Sequence, residues 1–153
     1  MNDGDREILD HFTRTRAKTI ELFQRVPDEL VGRTADGEEH STGWLFGHIA
    51  FAVDFWMERC MKDGAAVSEW NENDRGSIAR ALEATRERLL TFFNASDGAA
   101  MGRSYTRVKN NKEETYVGRG RVLYITQHES HHRGKIVLAL RQWGFSDIPF
   151  LPY

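Results

Sequence analysis

The stretch from Arg119 to Trp143 constrains this chain more than any other, because it reads as one long helix and holds half of the six histidines. Successive helical residues turn by about 100°, which gathers Ile125, His132, Ile136, Ala139 and Trp143 into one stripe with His128 at its margin. Thr126, Ser130, Arg133, Val137 and Arg141 fall on the other side, and a mostly polar set of this kind is expected to face water. Imidazoles at i and i+4 stand about 5–6 Å apart at Cβ, from where both reach one metal ion. His128 and His132 therefore form the candidate pair. His131 projects about 100° away from His132 and is kept as a reserve ligand. The run is set apart from the zincin pattern His-Glu-x-x-His, on the reading that the second histidine lies too close to Glu129 for that glutamate to take the zincin role. His-x-x-x-His alone is a weak signal, since a histidine on an apolar face is more often a hydrogen-bonded core residue than a ligand.

Other helices must cover that stripe. In residues 5–26 Ile8, Phe12, Thr19, Phe23 and Val26 repeat at helical spacing, with Asp3 or Asp5 as caps and Pro27 as the stop. Arg16 falls inside this apolar stripe, where it either snorkels to water or meets an anionic substrate. Residues 28–40 are a connection. The second helix starts at Ser41 or Thr42 and runs to about Lys62, with Trp44, Leu45, His48, Phe51, Ala52, Phe55 and Trp56 on its apolar side. His48 lies amid bulky rings, and an unsatisfied imidazole there would cost roughly 1–3 kcal/mol. A backbone carbonyl or a metal would relieve that cost. With His128 and His132, it makes three histidines on two apolar faces. His11 and His40 occupy polar or exposed positions and are discounted.

Residues 65–76 read as polar connection with a lone Trp70. Helix three spans 77–94, with Ile78, Leu82, Leu89, Phe92 and Phe93 inward and Arg80, Glu83, Arg86, Glu87 and Arg88 on a solvated face. Between 99 and 118 the helical period breaks. Tyr105, Thr106 and Val108, then Thr115, Tyr116 and Val117, flank Lys109-Asn-Asn-Lys-Glu as a small hairpin or ordered loop. Gly144 caps the last helix, and the aromatic tail Phe145–Tyr153 is expected to pack along the bundle. Four amphipathic helices with one long irregular crossover predict a single all-α four-helix-bundle domain over 1–153.

Composition excludes several classes of function. The 21 basic and 23 acidic side chains are interspersed, which argues against nucleic acid as a partner. No apolar run is long enough for a membrane span, and the acidic start carries no signal peptide. The single cysteine, Cys60, fits a cytoplasmic, reducing setting and reads as a small half-buried hydrophobe rather than a nucleophile.

The segment Trp44-Leu-Phe-Gly-His48-Ile-Ala, with His128-Glu-Ser-His-His132-Arg-Gly-Lys-Ile and the ending Leu-Arg-Gln-Trp-Gly, resembles the DinB/YfiT-like bundle superfamily over essentially the whole chain. The resemblance implies one divalent metal, zinc or nickel, held by His48, His128 and His132. It also implies a small-molecule substrate and thiol-dependent transferase or isomerase chemistry using a low-molecular-weight thiol such as bacillithiol or mycothiol. In the mycothiol-linked isomerase branch the first ligand of the last helix is glutamate, where this chain has His128. Dimerisation is frequent in the family, and a homodimer is compatible with the apolar excess on helices two and three. Three nitrogen ligands leave a coordination position open, unlike a closed structural site. The expectations are therefore a metal-dependent S-transferase or a metal-hydroxide hydrolase, with a non-catalytic metal-binding or interaction protein as the rival. Arg16, Arg119 and Arg121 are candidate anion holders, though ordinary surface charge accounts for each of them more readily.

Overall fold

The computed structural model describes residues 1–150, apart from the side chain of Ser96. Four long helices make the frame: α1 (Asp3–Arg25), α3 (Thr42–Trp56), α4 (Arg75–Asn94) and α6 (Gly118–Gln142). Helix α1 packs on α4 and α6, and α3 packs on the same two, so α1 and α3 face each other across the bundle. Both the α1–α3 and the α4–α6 links therefore run diagonally, where the sequence predicts one long crossover. The first carries a single turn, α2 (Asp28–Val31); the second carries a 3₁₀ turn (Ala95–Gly98), α5 (Ala99–Gly102) and a hairpin.

Local chemistry sets the ends. Asn2, rather than an aspartate, caps α1 by accepting from Asp5 N–H. Ser41 caps α3, its hydroxyl accepting from Trp44 N–H, and Asp74 caps α4. Helix α3 continues as a π-helical segment, Met57–Met61, stopped by Lys62 in the left-handed region (φ 59°). The expected hairpin is present: β1 (Ser104–Lys109) pairs antiparallel with β2 (Lys112–Val117), Val108 opposite Glu113. Asn110 and Asn111 both have positive φ (52° and 60°), the two-residue turn that matches the twist of paired strands. Gly144 takes φ 78°, and the Phe145 N–H then bonds back to the Leu140 carbonyl. Phe145 and Ile148 pack against the core, whereas Phe150 is exposed. Residues 151–153 of the predicted packed tail lie outside the described residues.

The core has two apolar halves. One gathers Phe12, Val53, Leu89, Phe93 and Ile125; the other gathers Leu22, Phe46, Ile49, Leu82 and Ile136. Along α1 and α6 a polar layer separates them. Arg16, wholly buried, sends Nε to both oxygens of Glu129 (3.1 and 3.0 Å) and Nη1 to the Leu82 carbonyl and the Thr85 hydroxyl. Its Nη2 stands 3.0 Å from Glu129 Oε2. Arg133, also buried, donates to the Thr15 carbonyl at 2.9 Å. Two expectations fall here. Arg16 neither snorkels nor faces a substrate, because Glu129 holds it inside. Of the α6 face expected to be solvated, Ser130 and Arg141 are exposed, but Thr126 and Arg133 are buried, beside Glu129. Arg88 likewise leaves the solvated face of α4, donating to Asp54 (2.6 Å) and Asp63 (3.1 Å).

Candidate metal centre

Helix α3 brings His48 to the level of the polar layer, and α6 brings His128 and His132 one turn apart opposite it. Their Nε2 atoms are 3.1 Å from each other. The His48 ring centroid lies 5.0 Å from that of His128 and 4.8 Å from that of His132. One nitrogen of each ring falls within 4.8 Å of the other two. Nitrogens at about 2.0–2.1 Å from a tetrahedral zinc are separated by roughly 3.3–3.4 Å, so the α6 pair is nearly at ligand spacing. The three-histidine group could hold a metal ion. His131 is exposed on α6 and His11 exposed on α1, and neither joins the group.

Ring stacking orients two of these imidazoles. His48 lies nearly parallel to Trp44 (4.6 Å, 12°) and Tyr124 nearly parallel to His128 (6.4 Å, 27°). A ligating histidine usually gives its second nitrogen to a carboxylate or carbonyl, but Nδ1 of His128 and of His132 is buried with no such partner. Flat aromatic neighbours stand beside His48 and His128, whereas His132 meets only the edges of other imidazoles. His40 extends the stack, 3.5 Å from Trp44, and so sits nearer the centre than its polar sequence context suggests.

Burial and mutual repulsion keep the rings neutral. His132 is pushed down from 6.5 to about 3, first by desolvation and then by His128 and His48. His128 falls to about 4, by desolvation and then His48 and His131, and desolvation also lowers His48, with His40 contributing. At pH 7 three lone pairs are available, the protonation state a metal requires.

The zincin comparison needs a correction. His128-Glu-Ser-His-His132 does match His-Glu-x-x-His letter for letter, so spacing does not set it apart. Geometry does: the Glu129 carboxylate is 1% exposed and held by Arg16 on the inner face, away from the position of a general base. Among the described residues no carboxylate joins the three-histidine group.

His48 and His128 line a cleft of about 1030 Å³ between α3, the hairpin and α6. Phe51, Phe55 and Tyr124 form its apolar walls, and Arg59, Lys62, Arg107 and Lys109 supply the cations. The arginines expected to hold an anion do not line it. Arg119 pairs with Asp5 at 3.2 Å, and Arg121 is stacked on Trp56, Tyr116 and Tyr124, 4.1–4.6 Å from their centroids. Arg59 and Lys62 continue the stripe of His48, Phe51 and Phe55 past the end of α3, a spacing the sequence carries although its reading did not single them out. Nothing in the sequence signalled that the hairpin would add Arg107 and Lys109. Cys60 is more buried than expected, at 1% exposed, and burial pushes its thiol pKa up.

A helical bundle with three neutral imidazoles converging, two of them on an open cleft, is a bundle protein with the makings of a metal site. The chain belongs to the DinB superfamily, whose family model matches residues 11–136. Two solved structures share the fold. A DinB-like protein from Bacillus cereus ATCC 10987 is 16% identical, with TM-score 0.75, over 95% of each chain. The DinB-like protein YjoA from Bacillus subtilis is 19% identical, with TM-score 0.70, over 95% of this chain and 97% of that one. No curated protein matches. Among the described residues no helix is long and apolar enough to cross a membrane.

Proposed function

We propose that this protein is a metal-dependent enzyme acting on a small molecule, with His48, His128 and His132 as ligands to one divalent ion, zinc or nickel, and thiol-dependent S-transfer as its chemistry. The observation that carries this is the convergence of three neutral imidazoles, two of which, His48 and His128, line a cleft wide enough for a ligand. A divalent cation there supplies Lewis acidity, enough to hold a coordinated thiol deprotonated at neutral pH.

The chain's own residues favour a thiol brought in from outside. Cys60 is buried with a raised pKa and is no nucleophile. Glu129, bound to Arg16, is not free to take a proton from water, which a zincin-like hydrolase requires. A thiolate needs no such base. Phe51, Phe55 and Tyr124 give the cleft an apolar side against which the acceptor would lie. Three protein ligands would leave a coordination position open, as a catalytic centre does and a metal that merely ties α3 to α6 need not.

The test is metal content, then sulfur binding. His48→Ala, His128→Ala and His132→Ala should each sharply reduce bound metal, and His131→Ala and His40→Ala should not. The cobalt-loaded protein, titrated with bacillithiol, mycothiol, glutathione and cysteine, should show a sulfur-to-metal charge-transfer band with at least one of them. Transfer to a reactive halide or epoxide should follow, and be lost in His128→Ala. Full metal retention by His48→Ala rejects the ligand set. Retained cobalt with no thiol entering its sphere removes S-transfer and leaves hydrolysis as the leading chemistry.

A further inference from the structure

Along α3 and its π-helical continuation, His48, Phe51, Phe55, Arg59 and Lys62 all line the cleft, at intervals of three or four residues that keep them on one face. The stripe is about 20 Å long at helical rise, and its character changes in order: nitrogen ligands, then rings, then cations. The facing wall repeats the middle and far parts. Tyr124 from α6 and Val108 from β1 are apolar, and Lys109 follows Val108. Phe51 (46% exposed), Tyr124 (42%) and Val108 (68%) are three of the large apolar side chains left open to solvent, and all three open into this cleft.

The far end carries a local excess of positive charge on a chain whose net charge is −2. Arg107 is neutralised by Glu114, 2.8 Å from Nη2. Arg59 stands only at the edge of ion-pair range from Glu58, at 4.0 Å, and among the described residues Lys62 and Lys109 have no acidic partner. Glu113 is the one acid lining the cleft, against three available cations.

We infer that the cleft binds an amphipathic organic anion, an alkyl or aryl body lying over Phe51, Phe55 and Tyr124 with a carboxylate or phosphate end held by Arg59, Lys62 and Lys109. The opposite end of the molecule faces His48 and His128, the part of this inference that rests on the reading of the three histidines as a metal centre. A cationic ligand meets repulsion at the far end, and a small hydrophilic ligand leaves the apolar walls uncovered.

The experiment measures binding by calorimetry to the metal-loaded full chain, using decanoate, decyl phosphate, decanol and decylammonium below their micellar concentrations. Either anion should bind at least tenfold more tightly than decylammonium and more tightly than decanol; the tighter anion identifies the end group as carboxylate or phosphate. Arg59→Glu combined with Lys62→Glu, both on exposed side chains, should abolish the preference for anions while helicity and metal content stay at the parent level. Lys109→Glu, on the other wall, should weaken it independently, so that misfolding of one variant does not rescue the idea. Equal binding of decanoate and decylammonium, or unchanged decanoate affinity in both variants, overturns it. The same titration on His48→Ala, which should lack the metal, should keep the preference for anions, and its loss there would assign the preference to the metal instead of the far-end cations. Anion preference without metal uptake by the parent protein would sink the metal centre and leave this inference standing; metal uptake without anion preference would do the reverse.

Discussion

Glu129 follows a histidine that faces the cleft, yet about 100° of helical rotation turns its own carboxylate into the bundle. There it meets Arg16, and neither group has access to water. Removing one partner of such a pair leaves a buried charge uncompensated, at about 3–5 kcal/mol. Glu129→Ala and Arg16→Ala should each destabilise by about that amount, and the double change by much less than their sum. Urea denaturation of the four proteins measures the coupling. A general base would behave differently: turnover would collapse in Glu129→Gln while stability and its coupling to Arg16 stayed small. Arg133, which the sequence places on a solvated face of α6, is buried for a related reason: it has a partner on α1, the Thr15 carbonyl, that no local pattern reveals.

At the scale of elements, α3 is positioned by what crosses it. Trp70, in the connection to α4, lies flat over Gly47, where an added Cβ would come within 2.1 Å of Trp70 Cε3. One turn earlier, a Cβ on Gly43 would meet the Glu72 carbonyl at 2.4 Å. Bare backbone at these two positions lets the connection seat against the helix beside His48. Gly47→Ala should displace Trp70 and destabilise by about 1–3 kcal/mol, the range for overpacking, despite the better helix propensity of alanine. Thermal denaturation and the emission maximum of the tryptophans check this; a more stable protein with unshifted emission would show that Trp70 does not need the contact.

For the whole molecule, the candidate site links α3 to α6 on a frame whose two apolar halves supply most of the packing. Removing a bound cation should therefore weaken the fold without abolishing it. At a hundredfold excess over its dissociation constant a native-state ligand adds about 2.7 kcal/mol, and a domain of this size gains roughly 2–4 °C per kcal/mol. Chelation should thus lower the melting temperature by about 5–11 °C. Metal-free protein should also lose stability on acidification. His128 and His132 are held at about 4 and about 3, below the ordinary 6.5, so the unfolded chain takes up protons that the native one refuses. This contribution is complete above pH 6.5 and is lost as pH falls from there toward 3. Replacing both residues by glutamine should flatten that part of the stability profile, and an unchanged slope would mean the rings titrate normally.

What the sequence determined by itself was everything carried by local periodicity. Helical spacing places the four long helices within a few residues of their ends, and the i, i+4 interval sets His128 beside His132. Glycine and asparagine mark the hairpin turn and the end of α6. The grouping of His48 with those two was suggested by its place on a second apolar face and by the family resemblance, although a backbone carbonyl would have satisfied that ring as well. Tertiary structure alone decided which polar residues are interior. Arg16, Arg88, Glu129 and Arg133 have the composition of surface residues, and only contacts between helices far apart in sequence satisfy their charges. It decided the cleft as well. Arg107 and Lys109 reach it only after the hairpin folds across α3, a placement that follows from long-range packing rather than from any period in the chain.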